Sequence, residues 1–183
     1  MTNVISYSAA LTACEKCHQS KRALELFDEM RERGVEPNVI AYGAVISACE
    51  LCGNFTKAES VLREAASLLL YESVWRQKFT IDLHDLPVPV ARTVVRMTVT
   101  DVLDRLQKNP RPDGTCHDLH IITGRGKSSE GGVAVLRPAI LEMFQDEYYG
   151  KLDCLENSAN RGRLRVPAAS FRTLVSCMED PAV

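Results

Sequence analysis

The sequence lacks the features that mark membrane and secreted proteins. Its longest apolar run, residues 65–71, is far shorter than the roughly 18 residues that a membrane span needs. It has no basic amino-terminal segment followed by an apolar stretch, the usual pattern of a targeting signal. We therefore expect no membrane partner and no signal peptide within these 183 residues.

Neither sign of charge dominates the sequence. The 22 Lys and Arg residues against 24 Asp and Glu give a net charge of −2, so binding to nucleic acid would have to come from local patches. The seven cysteines are an odd number, and without a secretory signal they indicate reduced thiols rather than a disulfide framework. With 45% hydrophobic residues, the chain can bury one or two cores without disulfides.

Residues 4–73 contain two copies of one sequence unit. Shifting the chain by 35 residues superposes Val4 on Val39, Ile5 on Ile40, Tyr7 on Tyr42, Ala9 on Ala44, Ala13 on Ala48, Cys14 on Cys49, Glu15 on Glu50, Cys17 on Cys52, Ala23 on Ala58 and Glu29 on Glu64. Such a period is typical of solenoids of stacked supersecondary units. Apolar residues at helical spacing on both sides of residues 18–20 predict a helix–turn–helix, ended by Gly34 and Pro37. Gly53 and Asn54 make the turn in the second copy.

The first copy closely resembles a pentatricopeptide repeat (PPR). The matching strings are Val-Ile-Ser-Tyr-Ser-Ala-Ala-Leu from Val4, Arg-Ala-Leu-Glu-Leu-Phe-Asp-Glu-Met from Arg22, and Gly-Val-Glu-Pro-Asn ending at Asn38. The resemblance implies that each repeat reads one RNA base with two side chains and wedges it with an aliphatic residue. The implied residues are Ser8, Asn38 and Ile5 in repeat 4–38, and Gly43 and Ile40 in repeat 39–73, whose end departs from the pattern and leaves Ser73 unassigned.

Chemistry agrees with these roles, because a short hydroxyl or amide can hydrogen-bond a base edge of single-stranded RNA. The alternative is that Ser8 and Gly43 are only small residues on packed helices. Two further motifs, Cys14-x-x-Cys17 and Cys49-x-x-Cys52, have the spacing of zinc ligands. Their separation equals the repeat length, so we interpret them as duplicated packing positions of the first helices and predict no zinc.

The pattern after residue 78 is that of a small α/β domain. Phe79, Ile81 and Leu83 alternate with polar residues as on a half-buried strand, and an amphipathic helix follows from Pro87 to Leu106. The remaining predicted elements are a strand at Leu119–Thr123, a loop at Gly124–Lys127, a helix at Val133–Phe144, and strands near Leu152–Leu155 and Arg161–Val166. The predicted fold class is therefore α plus α/β, with two helix-turn-helix repeats of an α-solenoid followed by a βαβαββ two-layer domain.

Two motifs of this segment are similar to those of the Smr domain. They are Ile81-Asp82-Leu83-His84 at the first strand and Thr123-Gly124-Arg125-Gly126-Lys127 after the second, and Asn160, Gly162, Leu164 and Val166 match the family's last strand. The resemblance spans residues 79–175 and implies an endonuclease domain, after repeats at 1–74. Asp85 stands where the family usually has Gly, and Lys127-Ser128-Ser129 where many members have Lys-His-Ser.

Asp82 and His84 are the candidate catalytic residues. As residues i and i+2 of a strand they point the same way, toward the loop of Gly124, Arg125, Gly126 and Lys127 if the two parallel strands are adjacent. Such a loop lets the backbone approach a phosphate while basic side chains neutralise it. We interpret Asp82 as a residue that holds a divalent cation or orients water, and His84 as a general base or phosphate-binding group. The alternative is a phosphate-binding surface without turnover.

Arg161, Arg163 and Arg165 form a second candidate interface. A strand would display all three on one face, as a stripe that grips the RNA backbone. The alternative is an ordinary solvated face, because edge strands commonly show alternating charges.

Together the two resemblances imply an RNA-binding PPR–Smr protein of organellar gene expression, in a chloroplast or mitochondrion, with metal-dependent hydrolysis of a phosphodiester. The expected cofactor is Mg²⁺ or Mn²⁺, and the expected partner is single-stranded RNA. The alternatives are a non-catalytic RNA-binding or scaffold protein and a DNA-nicking Smr protein, which the repeats disfavour. Two repeats contact about two bases, too few to specify a transcript, so we expect further 35-residue repeats and a transit peptide upstream.

Overall fold

The computed structural model describes residues 3–75, 77–108, 117–125 and 134–179. Its backbone contacts divide the chain into two compact units, one of residues 1–72 with 89–94 and the other of residues 73–88 with 95–183. The expected fold class is confirmed, since paired helices come first and a small mixed sheet with helices follows. Among the described helices, none is long and apolar enough to cross a bilayer.

The first unit consists of two helix pairs: α1 Val4–Lys16, α2 Ser20–Glu32, α3 Val39–Leu51 and α4 Phe55–Ser67. The first helix of each pair begins at an asparagine. Asn3 Oδ1 accepts a hydrogen bond from Ser6 N at 3.0 Å, and Asn38 Oδ1 accepts one from Ala41 N at 2.9 Å. These caps satisfy amide hydrogens that the helix leaves unpaired. Because the two asparagines are 35 residues apart, the sequence repeat extends to the helix starts.

All four helices of this unit are followed by a residue in the left-handed region. The residues are His18, Gly34, Gly53 and Leu69, with φ of 53°, 69°, 72° and 61°. Gly34 and Gly53 thus end helices as the sequence predicts, because glycine adopts this conformation without a steric penalty. Leu69 is the counterpart of Gly34 at the repeat distance, and a branched side chain there is strained.

Polar contacts join the helices around the buried residues of the repeats. The Tyr7 hydroxyl donates to Glu29 Oε1 at 3.1 Å, and the Tyr42 hydroxyl donates to Glu64 Oε1 at 2.6 Å. These pairs again lie one repeat apart. Arg31 of α2 also bonds Glu64 and packs over the Phe27 ring at 4.2 Å, so the second helix of one repeat is tied to the second helix of the next.

The second unit opens with a short 3-10 helix, Glu72–Trp75, and contains β1 Thr80–Asp82, α5 Val88–Lys108, β2 Leu119–Ile122, α6 Leu136–Tyr148, β3 Leu155–Glu156, β4 Arg163–Val166 and α7 Ala168–Glu179. Glu72 and residues Pro89–Val94 of α5 belong to the first unit. The strand order is β1-β2-β4-β3, with β1 parallel to β2 and the other pairs antiparallel. The expected βαβαββ order is confirmed. Helix α7 was not predicted, and β3 is shorter than expected, since it covers only the end of the predicted strand near Leu152–Leu155 and one residue beyond it.

One face of the sheet is buried and the other is open. Ile81, Ile121 and Leu164 align in register across three strands and are fully buried. Their neighbours in the next row are the half-buried Asp82 and Ile122 and the exposed Arg163, on the opposite face. Buried side chains of the helices complete the core, among them Val95, Ile140, Met143 and Phe171.

Candidate nucleic-acid interface

The two residues that the PPR resemblance implies as base wedges, Ile5 and Ile40, are exposed apolar side chains. Ile5 retains 73% of its accessible surface and Ile40 retains 58%. Both lie in the first turn of the first helix of their repeats. Two isoleucines so exposed at equivalent positions do not contribute to the core, and each can contact the face of a base.

Ser8 and Asn38 are brought together as the resemblance implies. Ser8 Oγ donates to Asn38 Oδ1 at 3.4 Å, although Ser8 itself is only 7% exposed. Asn38 Oδ1 also accepts the capping hydrogen bond from Ala41 N. Because the backbone donor fixes which amide atom is the oxygen, Asn38 has its Nδ2 hydrogens to offer a base. The groups that this pair can offer to a base are therefore mainly the hydrogen-bond donors at Asn38 Nδ2.

The second repeat differs at the corresponding position. Gly43 has no side chain to offer, and a Cβ there would lie 3.5 Å from the Tyr71 hydroxyl. Burial raises the pKa of Tyr71 to about 12, so this hydroxyl stays neutral. Ser73, the last residue of the repeat, is exposed in the 3-10 helix.

The cysteine pairs do not share the environment that the sequence suggests. Cys14 and Cys49 are buried, and burial raises the pKa of the Cys49 thiol to about 11. Cys17 and Cys52 are exposed residues just after their helices, not packing positions as expected. Cys17 and Cys52 are the C-cap residues of α1 and α3, so their side chains lie outside the buried face of these helices. The absence of zinc stays a prediction.

In the second unit, Asp82 and His84 are in direct contact at the end of β1. Asp82 Oδ1 lies 2.5 Å from His84 Nδ1 and accepts a hydrogen bond from His84 N at 3.2 Å. The other ring nitrogen, Nε2, lies 3.4 Å from Asp85 Oδ2. The ring of His84 thus has a carboxylate near each nitrogen, of which Asp82 is the closer and the less exposed.

Asp85 has a backbone conformation that explains the family's usual glycine. Its φ is +66°, in the left-handed region that glycine adopts freely and that costs most side chains energy. Asp and Asn tolerate this region better than other residues do. The departure from the family pattern is therefore accommodated by the backbone, and it places an additional carboxylate beside His84.

The glycine loop lies beside His84. Strands β1 and β2 are adjacent and parallel, so the residues that follow them meet at one edge of the sheet, where ligands bind in open α/β sheets. Gly124 has φ of +71°, and a Cβ there would lie 3.5 Å from His84 Cβ. A Cβ at Gly162 would lie 3.1 Å from both C and O of Gly124. These distances are shorter than most Cβ contacts, so a side chain at Gly162 would require the backbone of Gly124 to shift. Gly126 and Lys127 lie outside the described residues.

The three arginines of the predicted stripe do not share one strand. Strand β4 begins at Arg163, so only Arg163 and Arg165 project from its open face, and Arg161 lies in the preceding turn. The turn forms because Asn157 Oδ1 accepts from two backbone amides and Asn160 Oδ1 accepts from Gly162 N.

Arg165 has a partner within the protein. It bonds Asp118 at 3.0 Å, and the pKa of Asp118 is lowered by the backbone amide of Ala168 and by Arg165. Arg163 has no carboxylate partner in the described part of the chain. Arg161 instead lies with Arg125 on the wall of a groove.

Sequence reasoning missed Arg137 and Ser158, which also line this groove. Arg137 is the second residue of α6, the helix that follows the glycine loop in the sequence. Basic residues at a helix start that follows a glycine loop are a recognisable signal of anion binding. Ser158 carries no signal of its own, because its position depends on the turn that Asn157 makes.

Comparison with known proteins agrees with this architecture of helical repeats and a small α/β domain. A PPR repeat family model matches residues 2–51, and a PPR repeat model matches residues 40–67. An Smr domain-containing protein of Schizosaccharomyces pombe is 31% identical over 130 residues, which cover 68% of this chain and 57% of that relative. The chain thus spans little more than half the length of this relative. The chain thus combines pentatricopeptide repeats with an Smr-like domain.

Proposed function

We propose that this protein binds single-stranded RNA through its repeats and cleaves RNA with its Smr domain, in organellar gene expression. The observation that carries the cleavage proposal is the Asp82–His84 contact of 2.5 Å beside Gly124, at the carboxyl ends of two parallel strands. A carboxylate at Nδ1 fixes the tautomer and orientation of a histidine, so that Nε2 is the nitrogen that accepts a proton. This is the arrangement that a general base requires.

The proposed reaction is hydrolysis of a phosphodiester. His84 Nε2 takes a proton from water, the water oxygen forms a bond to phosphorus, and the bond from phosphorus to the leaving ribose oxygen breaks. His84 then returns the proton to that oxygen, while Asp82 stabilises the intervening imidazolium. Gly124 lets the backbone approach the phosphate, and the next residue, Arg125, adds positive charge beside it.

A magnesium or manganese ion is part of this proposal. Within the described residues, no three His, Cys, Asp or Glu side chains converge as metal ligands. Mg²⁺ often binds through one or two carboxylates together with water and phosphate oxygens, and Asp82 is the carboxylate that fits this role. The ion would supply positive charge near the phosphate. We assign no proton transfer to it.

The repeats support RNA as the substrate. Ile5 and Ile40 expose apolar surface at equivalent positions, and Asn38 presents amide hydrogens beside Ser8. Single-stranded RNA offers unstacked bases that such side chains can contact, whereas the bases of duplex DNA are stacked and paired. The repeats would hold the transcript while the Smr domain acts on it.

The test uses the full chain with single-stranded RNA, single-stranded DNA and supercoiled plasmid, with and without magnesium. We expect cleavage of RNA, and Asp82→Asn should abolish it while RNA affinity stays within a few-fold. Removal of a positioned acid–base group typically slows a reaction by about 100-fold or more. Asp146→Asn, on the exposed surface of α6, is the matched control and should cleave normally. Intact RNA in every condition would rule out catalysis and leave binding.

One observation favours the non-catalytic alternative. The Asp85 carboxylate lies 3.4 Å from His84 Nε2, the atom that must accept the proton. If this contact persisted in the RNA complex, His84 would bind phosphate without abstracting a proton. A chain that binds RNA, leaves it intact, and gains cleavage on Asp85→Gly would establish this alternative.

A further inference from the structure

A groove of about 550 Å³ lies beside the glycine loop. Its walls come from three separate parts of the chain: the loop after β2, the start of α6, and the turn between β3 and β4. The described residues that line it are Arg125, Ala134, Arg137, Ser158, Ala159 and Arg161. Three of these six described side chains are arginines, so they give the groove positive charge that suits an anion.

Two of the arginines are available to a ligand. Arg125 and Arg161 are exposed and have no carboxylate partner among the residues that the structure describes. Arg137 is held by Glu156, whose Oε1 lies 2.7 Å from Arg137 Nη2 and 3.1 Å from Nε. Glu156 thus neutralises one of the three positive charges. The other two remain to attract an anion.

The groove adjoins the Asp82–His84 pair across one close backbone contact. Gly124 packs against His84 on one side, and Gly162 packs against Gly124 on the other. A Cβ at Gly162 would also lie 3.2 Å from Arg125 Cγ, so the missing side chain at Gly162 makes room for Arg125 along the groove. The two sites are therefore neighbours in the same unit.

We propose that this groove binds a phosphate of the RNA strand next to the phosphate at His84, with Arg125 and Arg161 as its ligands and Glu156 as a restraint on Arg137. The inference rests on the proposed function, because it assumes RNA at His84. Guanidinium groups bind phosphate oxygens with paired hydrogen bonds. The phosphate comes either from the interior of the strand or from its 5′ end. An acidic peptide is the rival occupant.

The first experiment measures how RNA affinity depends on salt, with oligouridine as the probe and the full chain as the protein. Each phosphate that the protein neutralises on a single strand contributes about 0.7 to the steepness of log K against log salt, and Arg125→Ala with Arg161→Ala removes both ligands of one phosphate, so the steepness should fall by about 0.7. Arg105→Ala, an exposed arginine of α5, is the control and should leave the slope unchanged. The variant with Arg125→Lys and Arg161→Lys keeps both positive charges and should retain most of the salt dependence. An unchanged slope in the Ala double variant overturns the proposal.

The second experiment uses the restraint on Arg137. Glu156→Gln releases Arg137 into the groove, and we expect RNA to bind about two- to five-fold more tightly, the range for a partly exposed charge. In the Arg125→Ala, Arg161→Ala background the gain should shrink. Unchanged or weaker binding in Glu156→Gln contradicts a phosphate in this groove.

Two further probes identify the source of the anion. Oligouridines with and without a 5′-phosphate distinguish the two sources of the phosphate. If the Arg125→Ala, Arg161→Ala variant loses affinity only for the phosphorylated strand, the groove binds the 5′ end of the RNA. If it loses affinity equally for both strands, the groove binds an internal phosphate. Polyaspartate that competes as well as oligouridine favours the acidic peptide and overturns the proposal. If the unaltered chain binds no RNA at all, the proposed function fails. If it binds RNA with an unaltered slope in the double variant, only the groove assignment fails.

Discussion

Gly162 stands against Gly124 so closely that a Cβ on Gly162 would lie 3.1 Å from the carbonyl carbon and oxygen of Gly124. The atoms that such a Cβ would displace belong to the backbone, which shifts less easily than a side chain. This contact fixes the distance between the last strand and the glycine loop beside His84.

Gly162→Ala should therefore destabilise the protein by about 1–3 kcal/mol, the usual cost of inserting a methyl group into a packed site. Gly43→Ala is the matched control. Its Cβ would meet only the Tyr71 hydroxyl at 3.5 Å, and alanine is the better helix former, so stability should rise by up to about 1 kcal/mol. Chemical denaturation measures both. Equal effects of the two substitutions would contradict the close-contact argument.

Asp85→Gly should stabilise the protein by about 0.5–1 kcal/mol, because Asp85 adopts a left-handed conformation that glycine takes without strain. Asp85→Asn distinguishes the effect of backbone strain from the effect of the negative charge. Asparagine tolerates the left-handed conformation, so this substitution removes only the carboxylate near His84 Nε2. We expect the melting temperature to change little in Asp85→Asn and to increase in Asp85→Gly. Cleavage should not fall in either variant unless Asp85 takes part in the reaction.

Leu69→Gly should stabilise the repeats by about 0.5–1 kcal/mol for the same reason, since Leu69 has φ of +61° and is 69% exposed. The control is Leu68→Gly, one residue earlier, where φ is −89° and glycine has no such advantage. Thermal melting distinguishes the two variants. A gain at residue 68 as large as that at residue 69 would show that the effect is not conformational.

The Glu64 network predicts a dependence of stability on pH. Hydrogen bonds from Arg31 and then Tyr42 lower the pKa of Glu64 from its ordinary value of 4.5. A depressed pKa adds stability above the unfolded-state value that is lost as pH falls through the folded-state value. Because the pair is partly exposed, the loss should be at most about 1 kcal/mol.

Melting temperatures recorded from neutral pH down to strongly acidic pH test this expectation. Glu64→Gln should be less stable than the unaltered chain at neutral pH, and the difference should narrow below pH 4.5, the ordinary glutamate value. Glu32→Gln, on the exposed surface of α2, corrects for the lost charge alone. A difference that stays constant across this pH range would exclude the network as its cause.

The sequence predicts the parts of the fold that repeat or alternate. The period of 35 residues, the helix stops at Gly34 and Gly53, and the alternation around Ile81 each follow from one physical rule, and the structure confirms these elements. Helix α7 was missed because its apolar residues come directly after a strand and Pro167, where no repeat or motif marked a helix. Strand β3 was predicted, but it is only two residues long, too short for alternation to define where it begins.

The candidate site was only partly predictable. Asp82, His84 and Gly124 come together because adjacent parallel strands end at one edge, and that rule can be applied to a sequence. The turn that moves Arg161 away from the open face of β4 depends on the side chains of Asn157 and Asn160 bonding backbone amides. Alternation alone placed Arg161 on the strand, because it cannot show where pairing begins.

The helix-capping role of Asn38 limits how its proposed base recognition can be redesigned. The same oxygen that contacts Ser8 also caps α3, so a substitution chosen for a new base must still accept a hydrogen bond from the backbone. Only asparagine, aspartate, serine and threonine do this well. Specificity at this position can therefore be changed with only a few residue types, because any other residue would weaken the N-terminal cap of α3, the first helix of the next repeat.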